Sequence, residues 1–124
     1  MLAESDIERI TAAIAESGAH LAVGVFGSYG VGTPCARSDL DLFVITETTL
    51  PHAARRRAVQ RVLFGVLHPM DIHVFTPEEF EEKAYEALSF PWIIVRQARL
   101  YFRSEKAAAR VPSLAEKGPL CGCE

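Results

Sequence analysis

The chain has 124 residues and a mass of 13.6 kDa, enough for one hydrophobic core but not for two. Hydrophobic residues make up 49% and charged residues 23%, which excludes disordered, collagenous and low-complexity classes. Thirteen basic against sixteen acidic side chains leave a net charge of −3, so no global positive field exists to hold a duplex, and long nucleic acid is not expected as a partner.

Asp6 to Glu16 carry Ile7, Ile10, Ala13 and Ile14 at helical spacing, with Ser5 as N-cap and Gly18 as stop, which predicts an amphipathic helix. Leu21 to Phe26 is short and apolar on both faces, the pattern of a buried strand, and ends at Gly27-Ser28. A glycine-rich segment follows to Pro34, and a second strand is predicted from Asp39 to Ile45, carboxylates first and apolar residues after. Pro51 to Val66 reads as a second helix, with Val59, Val62, Leu63 and Val66 on one stripe and Arg57 and Arg61 on another. Asp71 to Phe75 is a third strand. Thr76-Pro77-Glu78-Glu79 is a capping box with proline at the first helical position, so a helix starts at Pro77 and carries Phe80, Ala84 and Leu88 inward.

Trp92 to Ala98 adds a helical stretch before a short strand, Leu100-Tyr101-Phe102. Four large apolar residues in a row, Trp92 to Val95, exceed what one helical face buries, which leaves some for a partner. Beyond them no period is visible, so the expectation is one domain over residues 1–103 and a loose tail over 104–124. Three cysteines, Cys35, Cys121 and Cys123, are an odd number, and Cys121-Gly122-Cys123 lacks a second metal-ligating pair, so neither a disulfide framework nor a zinc site is expected. The acidic N-terminus and an apolar run of only four residues give no signal peptide or membrane span, and a cytoplasmic setting is expected. The element order places one small sheet against helices, an α/β arrangement of a single layer pair. Neither GxGxxG nor a Walker A sequence occurs.

Asp39 and Asp41 are two apart on a strand, so they leave the same face with Cα atoms about 6.7 Å apart. Asp71 opens the third strand in the same way, and three carboxylates converge if the two strands are neighbours. Such anions raise one another's pKa unless a divalent cation neutralises them, and an all-oxygen set suits Mg²⁺ or Mn²⁺ bridging to phosphate. Upstream, Gly27 lets the backbone approach closely, and Ser28 with the turn's N–H groups can face a phosphate. Phosphate cradle and carboxylate cluster together are the inventory of phosphoryl or nucleotidyl transfer.

Gly27-Ser28, ten residues, then Asp39-Leu40-Asp41 resembles the signature of the minimal nucleotidyltransferases of the DNA polymerase β superfamily. By composition alone such a pattern arises in about one chain in a thousand of this length. The resemblance covers residues 5 to 102, including Asp71 to Phe80, which looks like the family's third-carboxylate strand and following helix. It implies an α/β (α+β) fold with a small mixed sheet. It also implies that Asp39, Asp41 and Asp71 hold the catalytic metals, that Gly27 and Ser28 bind the nucleotide, and that NMP, most plausibly AMP from ATP, is transferred as pyrophosphate leaves. Many relatives read Gly-Ser-x-Ala-Arg-Gly where this chain has Gly27-Ser28-Tyr29-Gly30-Val31-Gly32, so Val31 stands in place of a basic side chain, and Arg37, Arg57 or Arg61 is the candidate substitute.

Nothing beyond residue 102 can form the helical acceptor domain of drug-modifying relatives, so the acceptor surface must come from another chain, and an oligomer or hetero-complex is expected. In the minimal family that chain is commonly a HEPN-type toxin, adenylylated on a tyrosine by its antitoxin. The alternatives are a catalytically weak module that neutralises its partner by docking, and a homodimeric small-molecule adenylyltransferase. His73 shares the Asp71 face and reads as a satisfied buried histidine, the alternative being a residue that orders a metal-bound water, and Arg55 to Arg57 read as a solvated helix face, the alternative being contact with a partner or with phosphate.

Overall fold

Four strands form one sheet, and the alternation of their side chains gives it two apolar faces. The computed structural model describes residues 2–35 and 37–114. Within them β1 (His20–Phe26), β2 (Leu40–Thr46), β3 (Met70–Phe75) and β4 (Arg99–Arg103) lie in the order β3-β2-β1-β4. β1 runs antiparallel to β2 and β4, and β2 runs parallel to β3, so the sheet is mixed. The helices are α1 (Glu4–Glu16), α2 (Gly27–Val31), α3 (His52–Val62), α4 (Pro77–Lys83), α5 (Phe90–Gln97) and α6 (Ala107–Arg110), with a 3₁₀ turn at Pro112–Leu114.

Val23, Val25, Leu42, Val44 and Val74 face Ile7, Ile10 and Ile14 of α1 and Val59 of α3. Ala22, Phe26, Phe43 and Ile45 face the other way, onto Phe80 of α4 and Ile94 of α5. The sheet therefore lies between two helical layers rather than in the single pair that element order suggested. The reason is legible in β2, which is apolar on both sides after its first two residues and must be covered on both.

Several boundaries differ from the sequence reading. α1 starts before Ser5, because the Asp6 carboxylate accepts the Ala3 backbone N–H at 3.0 Å and closes the first turn. α3 ends at Val62 instead of continuing to Val66; the chain turns through Gly65 at φ +98°, leaving Phe64 94% and Leu67 97% exposed. Leu88, expected inward, is exposed at φ +70°, because α4 stops at Lys83 and a new helix is started by Ser89, whose hydroxyl accepts the Trp92 N–H. Within Trp92 to Val95 only Ile94 is fully buried, and the Arg96 guanidinium lies 4.1 Å from the Trp92 ring centre.

The segment after β4 also departs from expectation as far as it is described. Residues 104–114 pack rather than hang loose, with Ala107, Val111 and Leu114 buried and the Ser104 N–H donating to the Leu21 carbonyl at 2.9 Å. Three small or aliphatic contacts at spacings of four and three suffice to hold so short a stretch, which is why its period was invisible. Residues 115–124, including Cys121 and Cys123, lie outside the described residues. Among the described residues no helix is long and apolar enough to cross a membrane.

Candidate active site

Strand register builds the site. Phe26, the last residue of β1, pairs with Asp41 of β2, and Asp41 pairs with Asp71 of β3, so the two carboxylates leave the same face of neighbouring strands. Asp39 lies immediately before β2. Asp41 is half-buried, whereas Asp39 and Asp71 are exposed at the rim. Burial first, then the charges of Asp71 and Asp39, push the Asp41 carboxyl from the usual range up to about 6. The structure thus brings the three predicted carboxylates within electrostatic reach of one another.

The glycine-serine turn meets them directly. Gly27 has φ +67°, and a Cβ placed there would overlap Oδ2 of Asp41. Both facts demand glycine: the first by backbone conformation, the second because the carboxylate rests against the bare Cα. Ser28 follows in α2, half-buried. Tyr29 is buried beneath, its hydroxyl accepting the Leu2 N–H at 3.0 Å. Gly30, where many relatives carry alanine, sits so close to the Gln97 carbonyl that a Cβ would stand 2.7 Å from it. The alanine-to-glycine departure is thus explained by packing of α2 on the end of α5, whereas Val31 is 51% exposed.

The loop that delivers Asp39 is tied at both ends. The His68 imidazole Nε2–H donates to the Ser38 carbonyl at 2.9 Å, and the Leu40 N–H donates to the Pro69 carbonyl at 3.0 Å, so the starts of β2 and β3 are fixed together. His73 is half-buried, with its ring centre 5.3 Å from that of Phe26 and 4.6 Å from that of Phe90. Burial lowers its pKa from the ordinary value, with Asp71 opposing and Arg56 assisting.

The arginines separate by role. Arg55 is only 8% exposed and holds Glu79 at 2.7 Å and 3.2 Å, besides donating to the Leu50 carbonyl at 2.7 Å, so it is structural rather than part of a solvated face. Arg56 and Arg57 line a cavity with Asp71 and His73. Arg37 and Arg61 are exposed. Sequence reasoning named Arg56 only as part of the run Arg55 to Arg57; the signal that separates it from Arg55 is the spacing Ala53, Arg56, Arg57, Gln60, one helical face free of large apolar side chains.

Among the described residues no three His, Cys, Asp or Glu side chains form a ready-made metal cage. A half-buried carboxylate flanked by two exposed ones is chemically suited to a hard cation whose shell would be completed by phosphate oxygens and water.

A mixed sheet with carboxylates on adjacent strand starts and a glycine-serine turn against them defines a nucleotidyl-transfer fold. The family model for the nucleotidyltransferase domain matches residues 7–120, and the chain belongs to that family. No curated protein matches it. Among solved structures it is similar to a toxin-antitoxin crystallised with AMP-PNP, at 18% identity and a TM-score of 0.58 over 94% of this chain and 86% of that one. It is also similar to a tri-AMPylated Shewanella oneidensis HEPN toxin in complex with its MNT antitoxin, at 16% identity and 0.55 over 93% and 87%. A third, the toxin-antitoxin MntA-HepT, aligns at 14% identity and 0.50 over 92% and 82%. At these identities the likeness is one of fold.

Proposed function

We propose that the chain transfers a nucleoside monophosphate, AMP from ATP, to a hydroxyl on a partner protein, and that it serves as the antitoxin of a HEPN-type toxin. The observation that carries the chemical half is the contact of Gly27 with Asp41, opposite Asp71: it sets a phosphate-binding turn against a carboxylate cluster. The partner half is supported by the HEPN toxin and AMP-PNP in the structural neighbours.

In this reading Gly27 and the Ser28 hydroxyl bind the triphosphate, with the turn's N–H groups facing its outer phosphates. Asp39, Asp41 and Asp71 would hold a divalent cation, Mg²⁺ or Mn²⁺, which when bound supplies positive charge at the α-phosphate. The acceptor oxygen forms a bond to the α-phosphorus while the bond to the bridging oxygen breaks, and pyrophosphate leaves with that electron pair. Asp71, on the exposed side, takes the hydroxyl proton and passes it to water.

Incubation of the chain with Mg²⁺, each α-labelled nucleoside triphosphate and its HEPN partner tests this. Label from ATP is expected on the partner, and Asp41→Asn should abolish it. Neutralisation of the partner without any label would leave only the docking reading, for which exposed Val31 in the turn is the supporting observation. Label on a small hydroxyl compound alone would favour the homodimeric enzyme.

A further inference from the structure

Gly27 and Ser28 follow β1, Asp71 opens β3, and Asp41 lies between them. If a triphosphate sits in the turn with its leaving group toward β1, in-line displacement would bring the acceptor from the opposite side, over β3. β3 is the outer strand there. Between it and α3 runs a groove with a cavity of about 270 Å³ lined by Arg56, Arg57, Gln60, Asp71 and His73. The groove continues past Arg56 and His73 toward Phe75.

Its charge is the second observation. α3 contains four arginines and no acidic residue, in a chain whose net charge is −3. Arg55 is consumed by Glu79 and reaches the Val74 carbonyl, closing the far end of the strand. Arg56 and Arg57 are exposed, and among the described residues neither is in an ion pair. With Ala53 and Gln60 they form the one face of α3 that looks onto the groove, and the small Ala53 leaves room beside them. Cations lining the approach to a site select anions by charge-assisted hydrogen bonds.

We propose that this groove receives the acceptor as an extended acidic segment of the partner protein, whose carboxylates Arg56 and Arg57 hold while its hydroxyl is delivered beside Asp71. The proposal rests on the nucleotidyl-transfer reading above and names the substrate class of that same site.

Fluorescence anisotropy tests it without requiring turnover. The probes are a labelled peptide with a tyrosine flanked by glutamates and its counterpart with glutamines. Each is titrated with the full chain in Mg²⁺ and an ATP analogue whose α- and β-phosphorus are joined by methylene. The glutamate peptide should bind at least tenfold more tightly, and increasingly weakly as salt rises. Arg56→Gln with Arg57→Gln should erase the difference, Arg56→Lys with Arg57→Lys should keep most of it, and Arg61→Gln, on the same helix but off the groove, should leave it intact. Equal affinity for the two peptides overturns the proposal, as does an Arg61→Gln loss as large as that of the double variant. A double variant that binds the analogue less tightly while keeping its peptide preference also overturns it, because the arginines then serve the nucleotide. Failure of the transfer reading shows itself separately, as absence of labelled AMP on any acceptor with the unaltered chain.

Discussion

Asp41 carries opposite demands on stability and chemistry. Its folded carboxyl is pushed up to about 6 against an ordinary 3.8, so it stabilises the fold fully only when protonated, below about pH 4, and that contribution is lost as pH rises through 6. Because the side chain is half-exposed, water screens much of the cost, which leaves about 1 kcal/mol at pH 7. Asp41→Asn should therefore melt higher than the parent in EDTA at pH 7 and equal to it at pH 4, as calorimetric scans at the two pH values will show. Gly27→Ala forces a Cβ into the Asp41 carboxylate from a left-handed backbone position, and should cost about 1–2 kcal/mol in urea unfolding together with all transfer activity. The carboxylates and the turn were legible in the sequence because a short motif fixes both their identity and their spacing. Arg56 was legible only as one of three consecutive arginines on a helix, since spacing groups it with Arg57 but does not say that this face turns toward β3.

Elements read well wherever a local chemical rule set them, and poorly where tertiary packing did. The Thr76 capping box is present as predicted, with the Thr76 hydroxyl accepting the Glu79 N–H at 3.1 Å and the Glu79 carboxylate accepting the Thr76 N–H at 2.9 Å. The same Glu79 pairs with Arg55 across 24 residues of sequence, a contact no local pattern announces. That pair joins α3 to the start of α4. Arg55→Ala should destabilise by about 2 kcal/mol, below the usual figure for a buried pair because Glu79 is partly exposed. The hydrogen bond from Arg55 is the first cause of a lowered Glu79 pKa, so its contribution is present above the ordinary carboxylate range and fades as pH falls. Urea unfolding of parent and variant should differ at pH 7 and converge in acid. Leu88 and the end of α3 were misread for the opposite reason: helical spacing persisted past Lys83 and Val62, while the backbone had already turned.

For the whole molecule, binding should report on the site without any acceptor. Mg²⁺ with an ATP analogue should stabilise the folded chain by RT ln(1 + [L]/Kd), about 2.7 kcal/mol at a hundredfold excess over Kd, or roughly 10 °C in melting temperature for a domain of this size. Asp41→Asn should lose most of that shift although it starts from the higher value in EDTA, and thermal scans with and without ligand measure both. The sheet order has a further consequence. The two strands of the chain's second half, β3 and β4, flank the two strands of its first half, β1 and β2. The protruding stretch around Phe64 and Leu67 is all that joins the halves covalently. A protease that cuts there severs the peptide but not the sheet, so the nicked protein remains one body with Asp71 still opposite Asp41. Made as two separate polypeptides, the halves would each lack part of the site, which would come into being only where they meet.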